Sequence, residues 1–513
     1  MTMHDKRSQA RIVKLLSELL LPYVKVDAAH NPSVSGLQID SRKVNKGDVF
    51  LAYPGAFADG RDYIDAAITK GAVAVLCEPY ADNAASFDLI GPDLSIPVYF
   101  VARLSYHAGF FAANFYSHPS RHMRVVGITG TNGKTTTSHL VAEALHHLGK
   151  RSALIGTLGS GEWGALQENG NTTPDSISLQ QQLAAMRERQ VEVVIMEVSS
   201  HGLDQGRVNG VTFELAALTN ITRDHLDYHG SMAHYIQSKE KLFFWPALKN
   251  AVVNLDDPIA RTLFERVFQQ TEAHWYGIGK TASSLSRPGV ALEEFQVDAE
   301  KILIRFSSSW GEGVITNSHL FGEYNAHNLL MALSLLLLLD VPLADAAKAL
   351  SQVHGVPGRM NKMGGGAAPL VFIDYAHTPD GLLNALQSSR YYGANKLICV
   401  FGCGGNRDKG KRSQMGLIAW QYADVCIVTA DNPRDEAVED ICRHIVAELP
   451  ESHAVQIIHD RSSAIEQAMA MATNEDVVLI AGKGAERYQE IAGQKIPYSD
   501  YAVVEKALAR RAA

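Results

Sequence analysis

The stretch RVVGITGTNGKTTTSHLVAEALHHLG, residues 124–149, constrains the fold more than any other in the chain. Its first apolar run reads as a strand, and KTTTSHLVAEALHHL reads as an amphipathic helix stopped at Gly149. A strand that runs through a glycine turn into a helix is the setting a phosphate-gripping loop needs. Gly130 and Gly133 let the backbone curl so that N–H groups around Thr131 and Asn132 face an anion. Lys134 adds a compact positive charge, Thr135 a hydroxyl suited to Mg²⁺, and Thr136 a second polar group in the same turn. The general pattern asks for a glycine five residues before Gly133, where this chain has Ile128. The local context still predicts a nucleotide site.

Further apolar runs end in loops of Gly, Asp, Asn or Arg. VEVVIMEVSS, FELAALTNIT and NAVVNLDD follow the phosphate loop, and LVFIDYAH, KLICVFGCGGNRD, DVCIVTADNPRDE and DVVLIAGKGAE follow later. Strands that alternate with helices in this way predict α/β architecture with mostly parallel, doubly wound sheets. Ligands of such sheets bind at the carboxyl ends of the strands. A chain of 513 residues is too long for one core. Three domains are expected: a small N-terminal α/β domain over 1–105, a central doubly wound sheet of the P-loop ATPase type over 106–355, and a C-terminal Rossmann-like α/β domain over 356–513. The Gly/Pro-rich VHGVPGRMNKMGGGAAP is the hinge candidate between the last two.

Composition removes several classes. With 46% apolar and 20% charged residues the chain is a globular protein rather than a disordered one. A net charge of −8 offers no broad basic field for nucleic acid or anionic lipid, so an anionic substrate must be held by local devices. The five cysteines, Cys77, Cys399, Cys403, Cys426 and Cys442, include no Cys-x-x-Cys pair and fit reduced thiols in the cytoplasm. MTMHDKRSQARIVKLL is too charged for a signal peptide, and LLMALSLLLLL, about half a membrane span, reads as a buried helix. No membrane anchor is expected.

Mg²⁺ prefers oxygen ligands, and Glu197 ends the apolar run VVIME where a carboxylate could serve it. His225, in TNITRDHLDYHG, follows another buried strand and is a second candidate. With His229 four residues on it superficially resembles a zinc pair, which the hard-cation setting disfavours. Lys239, in the helical SMAHYIQSKEKLFF, would by charge alone face solvent.

Taken together these segments resemble the Mur ligases, the ATP-dependent amino-acid-adding enzymes of peptidoglycan synthesis. GTNGKTT is that family's form of the phosphate loop, which accounts for Ile128. The resemblance covers essentially the whole chain, through DSRKVNKGDVFLAYPGAFADGRDYI, NTTPDS, MEVSSHGLDQGRV, TRDHLDYHGSMAHYIQSKEKLF, DYAHTPDGL, GCGGNRDKGKR, DNPR and GKGAERYQ. It implies ATP-driven formation of a γ-D-glutamyl phosphate, attack by an amine, and release of ADP and phosphate. It also implies that Lys239 is carbamylated and, with Thr135, Glu197 and His225, supports Mg²⁺. Lys134, Glu197, His225 and Lys239 are then the catalytic set.

The resemblance further assigns the nucleotide sugar UDP-N-acetylmuramoyl-L-alanyl-D-glutamate to Ile39, Ser41, Ala56, Phe57 and Ala58, with Asn171, Thr172, Thr173, Ser199, Gln205 and Arg207 at the muramoyl dipeptide. Arg207 is the most persuasive of these on physical grounds, because a guanidinium fork grips a carboxylate or phosphate at two points. ATP is implied at the phosphate loop with Asn325, Asn328, Arg359, Asp374 and His377. The tetrapeptide DNPR, residues 431–434, would by itself be a turn. Within the family it marks members that select meso-2,6-diaminopimelate, which implies Arg407, Asp431, Asn432, Pro433, Arg434, Gly482 and Glu486 at the amino acid. Diaminopimelate differs from lysine by a second carboxylate, so groups built to pair with it reject lysine.

The implied protein is a cytoplasmic, monomeric ligase that takes small-molecule substrates and no nucleic acid. A sibling adding L-lysine shares nearly every motif, and only the surroundings of residues 431–434 separate the two. Folate-type ligases share the phosphate loop without the DSR segment. A guanine-type switch would carry Asn-Lys-x-Asp after a strand, and the nearest string here, NKLI at Asn395, lacks the Asp.

Overall fold

The computed structural model describes residues 12–21, 25–55, 58–80, 96–168, 170–284, 288–297, 301–392, 395–450 and 455–512. The chain divides into two compact units, one of Met1–Val126, Arg151–Glu214 and Trp245–Ala247, the other of Gly127–Lys150, Leu215–Phe244 and Leu248–Ala513. The fold is mixed α/β with several sheets, the expected class.

The first unit carries, after a short antiparallel pair of Lys14–Leu15 with Ser33–Val34, a four-stranded parallel sheet in the order Gly36–Gln38, Asp48–Ala52, Ala74–Cys77, Val98–Phe100. Asp48–Ala52 and Ala74–Cys77 are buried at every position because both faces are covered. Val49, Leu51 and Leu76 pack with the helix Leu104–Phe115, while Phe50, Ala52, Val75 and Cys77 face a second cluster with Ala67. Later in the same unit Val193–Glu197 runs parallel to Ser152–Gly156, which is itself paired antiparallel with Gly159–Glu162.

The second unit carries the phosphate loop, two large arrays of strands and a two-stranded hairpin. Leu215–Leu218, Asn250–Asn254 and His274–Gly279 run parallel, and Thr219 N–H donates to the Thr129 carbonyl at the end of Arg124–Thr129. The sheet then continues with Gly289–Val297, which runs parallel to His274–Gly279 and forms an antiparallel meander with Ile302–Ser308 and Gly311–Asn317. The sequence reading of a mostly parallel sheet missed this extension, which alternates buried and exposed residues in its outermost strand as a one-sided edge does. The apolar run at 329–339 lies mostly in the buried helix Tyr324–Leu338, packed on the phosphate-loop helix.

The other sheet has the order Asn361–Gly364, Leu370–Asp374, Val477–Ala481, Leu397–Phe401, Val425–Val428, Val455–Ile457, parallel except for the first strand. Apolar clusters cover both faces. Four loops therefore leave neighbouring strands at their carboxyl ends: 375–378, 402–407, 429–434 and 482–486. The exposed hairpin Tyr488–Ile491/Gln494–Pro497 follows the last. Among the described residues no helix is long and apolar enough to cross a membrane.

Candidate active site

The phosphate loop has the backbone its sequence demands. Gly130 stands at φ 144° and a Cβ there would lie 1.9 Å from Thr219 Oγ1, while Gly133, at φ 84°, starts the helix Lys134–His147. Only glycine meets both conditions. Lys134 Nζ donates to the carbonyls of Gly130 at 2.9 Å and Thr131 at 2.8 Å, so its charge is folded over the loop. Thr131 Oγ1 bonds Tyr235 Oη at 2.9 Å, and Asn132 N–H donates to Asn220 Oδ1 at 2.9 Å. Thr135 is buried, and Arg359 donates to its Oγ1 at 3.4 Å.

Lys239, which charge alone would place in solvent, is 1% exposed. Tyr235, Ser238 and Lys239 form the buried face of Met232–Glu240, and the spacing of Tyr235 and Lys239 is the signal that could have shown it. Lys239 Nζ donates to Gly130 O at 2.7 Å and lies 4.5 Å from the centre of the Tyr235 ring. Burial pushes the amine well below its ordinary value, Lys134 adds to the effect, and Asp224 opposes it. Asp224 is a residue the sequence reading passed over, although it adjoins His225 in the same motif. Its carboxylate lies 3.4 Å from His225 Nε2, 3.7 Å from Lys411 Nζ and 3.8 Å from His377 Nε2. Burial would raise this acid, but the neighbouring His377, His225 and Lys411 hold it well below the carboxylate range.

Beside the loop lies a cavity of about 360 Å³, lined by Asn132, Gly133, Thr136, Asn220, Asp256, His327, Asn328, Arg359, Asp374 and Asp380 among others. Its size is that of a small-molecule pocket. Asn328 reaches the cavity, whereas Asn325 stands behind it, bonding Phe321 O and Asn328. Arg359 lies over the Tyr375 ring at 4.5 Å. Asp374 accepts from the N–H groups of Met360 and Ala376, and burial raises its carboxyl against the charge of Arg359. His377 Nδ1 meets Tyr375 O at 2.8 Å. Asn132 Nδ2 donates to Asp380 Oδ2 at 3.1 Å, and Asp256 meets His327 Nε2 at 2.8 Å.

The loops of the second sheet gather most of the other candidates. Asp431, Asn432 and Pro433 are buried, and a Cβ on Gly482 would lie 2.6 Å from Asp431 Oδ2. Asn432 donates to Glu486 at 2.9 Å. Between them sits Lys483, fully buried, 3.0 Å from Asn432 Oδ1, 2.9 Å from Glu486 Oε2 and 3.9 Å from Asp431 Oδ1. Lys483 was not singled out in the sequence, though it lies in the GKGAE loop. Arg434, at φ 51°, places Nε 2.9 Å from Glu490 Oε2 and Nη1 2.9 Å from Gly405 O. Arg407 is exposed on the adjacent loop.

In the first unit Ile39, Ser41 and Ala58 line a cavity of about 460 Å³ with Tyr53 and Tyr63, and Ala56 and Phe57 lie outside the described residues. Glu197 is buried at its strand end, accepting from Thr157 N at 2.9 Å and Thr157 Oγ1 at 3.1 Å. Thr172 meets the same threonine hydroxyl at 3.1 Å. Thr173 Oγ1 donates to Glu197 O and accepts from Ser199 N–H. Arg207 donates to Thr173 O at 3.0 Å and Gln205 Oε1 at 2.8 Å, which gathers Thr172, Thr173, Ser199, Gln205 and Arg207 around Glu197. Asn171 is exposed at the edge of this group.

Three family descriptions match the chain in order: "Mur ligase family, catalytic domain" over residues 33–96, "Mur ligase middle domain" over 128–336 and "Mur ligase, glutamate ligase domain" over 358–484. The chain belongs to the Mur ligase family. This Mur ligase is 47% identical over 497 residues to the UDP-N-acetylmuramoyl-L-alanyl-D-glutamate--2,6-diaminopimelate ligase of Chromobacterium violaceum, covering 96% of each chain. It is 44% identical to the Pseudomonas aeruginosa protein of the same name, covering 92% of this chain and 94% of that one. A solved structure of a ligase with that name aligns at TM-score 0.67 and 31% identity, over 98% of this chain and all of the other. The fold is shared with the MurF ligase of Thermotoga maritima in complex with ADP, at TM-score 0.60 and 18% identity, over 93% of this chain and 96% of that one.

Proposed function

We propose that this Mur ligase is an ADP-forming acid–amino-acid ligase that joins meso-2,6-diaminopimelate to the D-glutamate γ-carboxylate of UDP-N-acetylmuramoyl-L-alanyl-D-glutamate. The observation that carries the reading is that relatives named for this reaction match nearly the whole chain. The phosphate loop and the polar loops at residues 431–434 and 482–486 supply chemistry suited to it. In this reading residues 1–105 take the nucleotide sugar, 106–355 the ATP and 356–513 the amino acid, in a cytoplasmic monomer. Five buried free cysteines agree with a reducing compartment.

A carboxylate is a poor electrophile until it is phosphorylated. The γ-carboxylate oxygen attacks the γ-phosphorus of ATP, the bond to the bridging oxygen breaks, and its electron pair leaves with ADP. The amine then attacks the acyl carbon, the C–N bond forms, phosphate departs with the C–O electron pair, and the amine loses a proton. The loop N–H groups and Lys134 offset charge in the first step. Arg207 and its threonine neighbours orient the carboxylate-bearing dipeptide. Asp431, Asn432, Glu486, Arg407 and Arg434 receive the amino acid, whose ammonium shares the carboxylates with Lys483.

The buried Thr135 hydroxyl and Glu197 carboxylate are hard oxygen donors of the kind Mg²⁺ takes, with His225 as a nitrogen donor. Lys239 joins them as a carbamate: its neutral Nζ forms a bond to the carbon of CO₂, one C=O pair moves to oxygen, and nitrogen loses a proton. Its burial beside Lys134 supports this, since only the unprotonated amine is nucleophilic. When bound, Mg²⁺ neutralises phosphate charge.

The test is phosphate release by the purified chain given ATP, Mg²⁺ and the dipeptide nucleotide, with meso-diaminopimelate, L-lysine or no amino acid. Release with meso-diaminopimelate alone, with the tripeptide product seen by mass, is expected. Release with lysine would keep the ligase and discard the specificity. Release indifferent to acceptor would discard both.

A further inference from the structure

At the far end of the phosphate-loop helix is a second cluster of ligating side chains that the ligase reaction does not use. Glu143 and His147 are four residues apart on Lys134–His147, one turn above each other on the same face. The Glu143 side chain is only 9% exposed. His354, in the segment after the helix Leu343–Leu350, brings Nδ1 to 2.7 Å from Glu143 Oε1 and donates its backbone N–H to Oε2 at 3.0 Å. His147 Nε2 lies 3.7 Å from that same Oε1. One ligand atom from each of the three residues falls within 4.8 Å of the others. The His319 ring lies against His354 with centroids 4.3 Å apart.

A Glu–His ion pair needs one imidazole. The second, at 3.7 Å, is too far for a hydrogen bond. It is close to the spacing of about 3.4 Å that neighbouring ligands take around a tetrahedral ion with bonds of about 2.1 Å. The 2.7 Å contact of His354 with Glu143 would have to lengthen by less than about an ångström. Two imidazoles and one carboxylate select a borderline transition ion over Mg²⁺ or Ca²⁺. Both imidazoles are partly exposed, so an ion has access from solvent.

We propose that Glu143, His147 and His354 bind a divalent transition-metal ion of the zinc class, which ties the segment around residue 354 to the phosphate-loop helix. Glu143 is eight residues beyond Thr135, about 12 Å along the helix, so this site is separate from the phosphate end. Arg359 lies five residues beyond His354 and reaches Thr135 Oγ1. The ion thus anchors, at one end of the helix, the same segment that delivers a guanidinium to the other end.

The full-length chain, stripped with chelator and held in excess Mg²⁺, is titrated with Zn²⁺ by calorimetry and with Co²⁺ by visible absorption. Tight binding is expected in the wild type and in H225Q. Weakening on the order of a hundredfold or more is expected in H147Q and H354Q, beyond what loss of an outer partner costs. Affinity unchanged in H147Q and H354Q, or lost only in H225Q, overturns the proposal. Should these variants fold poorly, X-ray absorption at the zinc edge of the loaded wild type decides: imidazole nitrogens in the first coordination sphere support the site, and a shell of oxygens alone overturns it.

Discussion

Arg434 is held in the left-handed region with one partner on each side of its guanidinium, Glu490 and the Gly405 carbonyl. Arg434→Lys keeps the charge and the backbone demand but loses the two-point fork, so the KM for diaminopimelate should rise on the order of a hundredfold while that for ATP changes little. Steady-state kinetics with each substrate varied would check it, and an unchanged diaminopimelate KM would remove Arg434 from the amino-acid site. Lys239→Ala should lower turnover by on the order of a hundredfold or more, because the charge-bearing group it supplies next to the phosphate loop is gone. Intact mass should show one added CO₂ on the wild type and none on the variant; an unmodified wild type with full activity would end the carbamate reading. The phosphate loop was legible in sequence because its chemistry is local: glycine, lysine and threonine at fixed spacing on a strand-to-helix turn. Asp224 and Lys483 were not, because what distinguishes them is partners brought from distant segments, His377 and Lys411 for the first, Asp431 and Asn432 for the second. Asn325 illustrates the converse, an asparagine with the right motif and a place one step behind the cavity.

Loops at the carboxyl ends of strands need fixing from behind, and the Arg412–Glu436 pair does this for two of them. Arg412 is fully buried and donates through both terminal nitrogens to Glu436 at 3.0 Å, while Glu436 also accepts from Asn406 N–H at 2.6 Å. The loop bearing Arg407 is thereby joined to the segment that follows Arg434. The Arg412 hydrogen bonds hold the Glu436 carboxyl down to about 2 from its usual 4.5. Because the folded value is depressed, the stabilisation is complete above about 4.5 and is lost as pH falls toward about 2. Glu436→Gln should therefore cost on the order of 1–2 kcal/mol at neutral pH, discounted for its partial exposure, and progressively less in acid. Urea midpoints of both proteins across that range would test it; a gap that does not narrow on acidification would mean the charge is not what matters. Among elements, the apolar strands were readable because burial on both faces makes them continuous runs. The meander strands Gly289–Val297, Ile302–Ser308 and Gly311–Asn317 and the hairpin after Arg487 escaped because strands exposed on one or both faces lack the continuous apolar runs by which the buried strands were read.

At the scale of the whole molecule, strand order is what sequence could not provide, and in the second unit it decides how the cavity beside the phosphate loop is built. That cavity takes Asn132, Gly133 and Thr136 from the phosphate loop and its helix, Asn220 and Asp256 from strand ends of one sheet, Asp374 from a strand end of the other, and Asp380 from the helix Pro379–Arg390 that follows it. A ligand filling it touches both sheets at once. The protein itself already links them at Asn132–Asp380 and at Arg223–Asp408, where the guanidinium lies 3.1 Å from the carboxylate. ATP should therefore protect more than the loop that grips it. At a hundred times its dissociation constant it should add about 2.7 kcal/mol to stability. It should also slow amide exchange in Lys134–His147 and Pro379–Arg390 together. Asp380→Ala removes the Asn132 partner without touching the loop backbone, and its burial-raised carboxyl makes it a modest electrostatic loss. In that variant protection of Lys134–His147 should persist while protection of Pro379–Arg390 falls. Protection confined to Lys134–His147 in the wild type would mean that nucleotide binding engages one sheet alone. The second sheet would then have to be drawn in by the amino acid rather than by ATP.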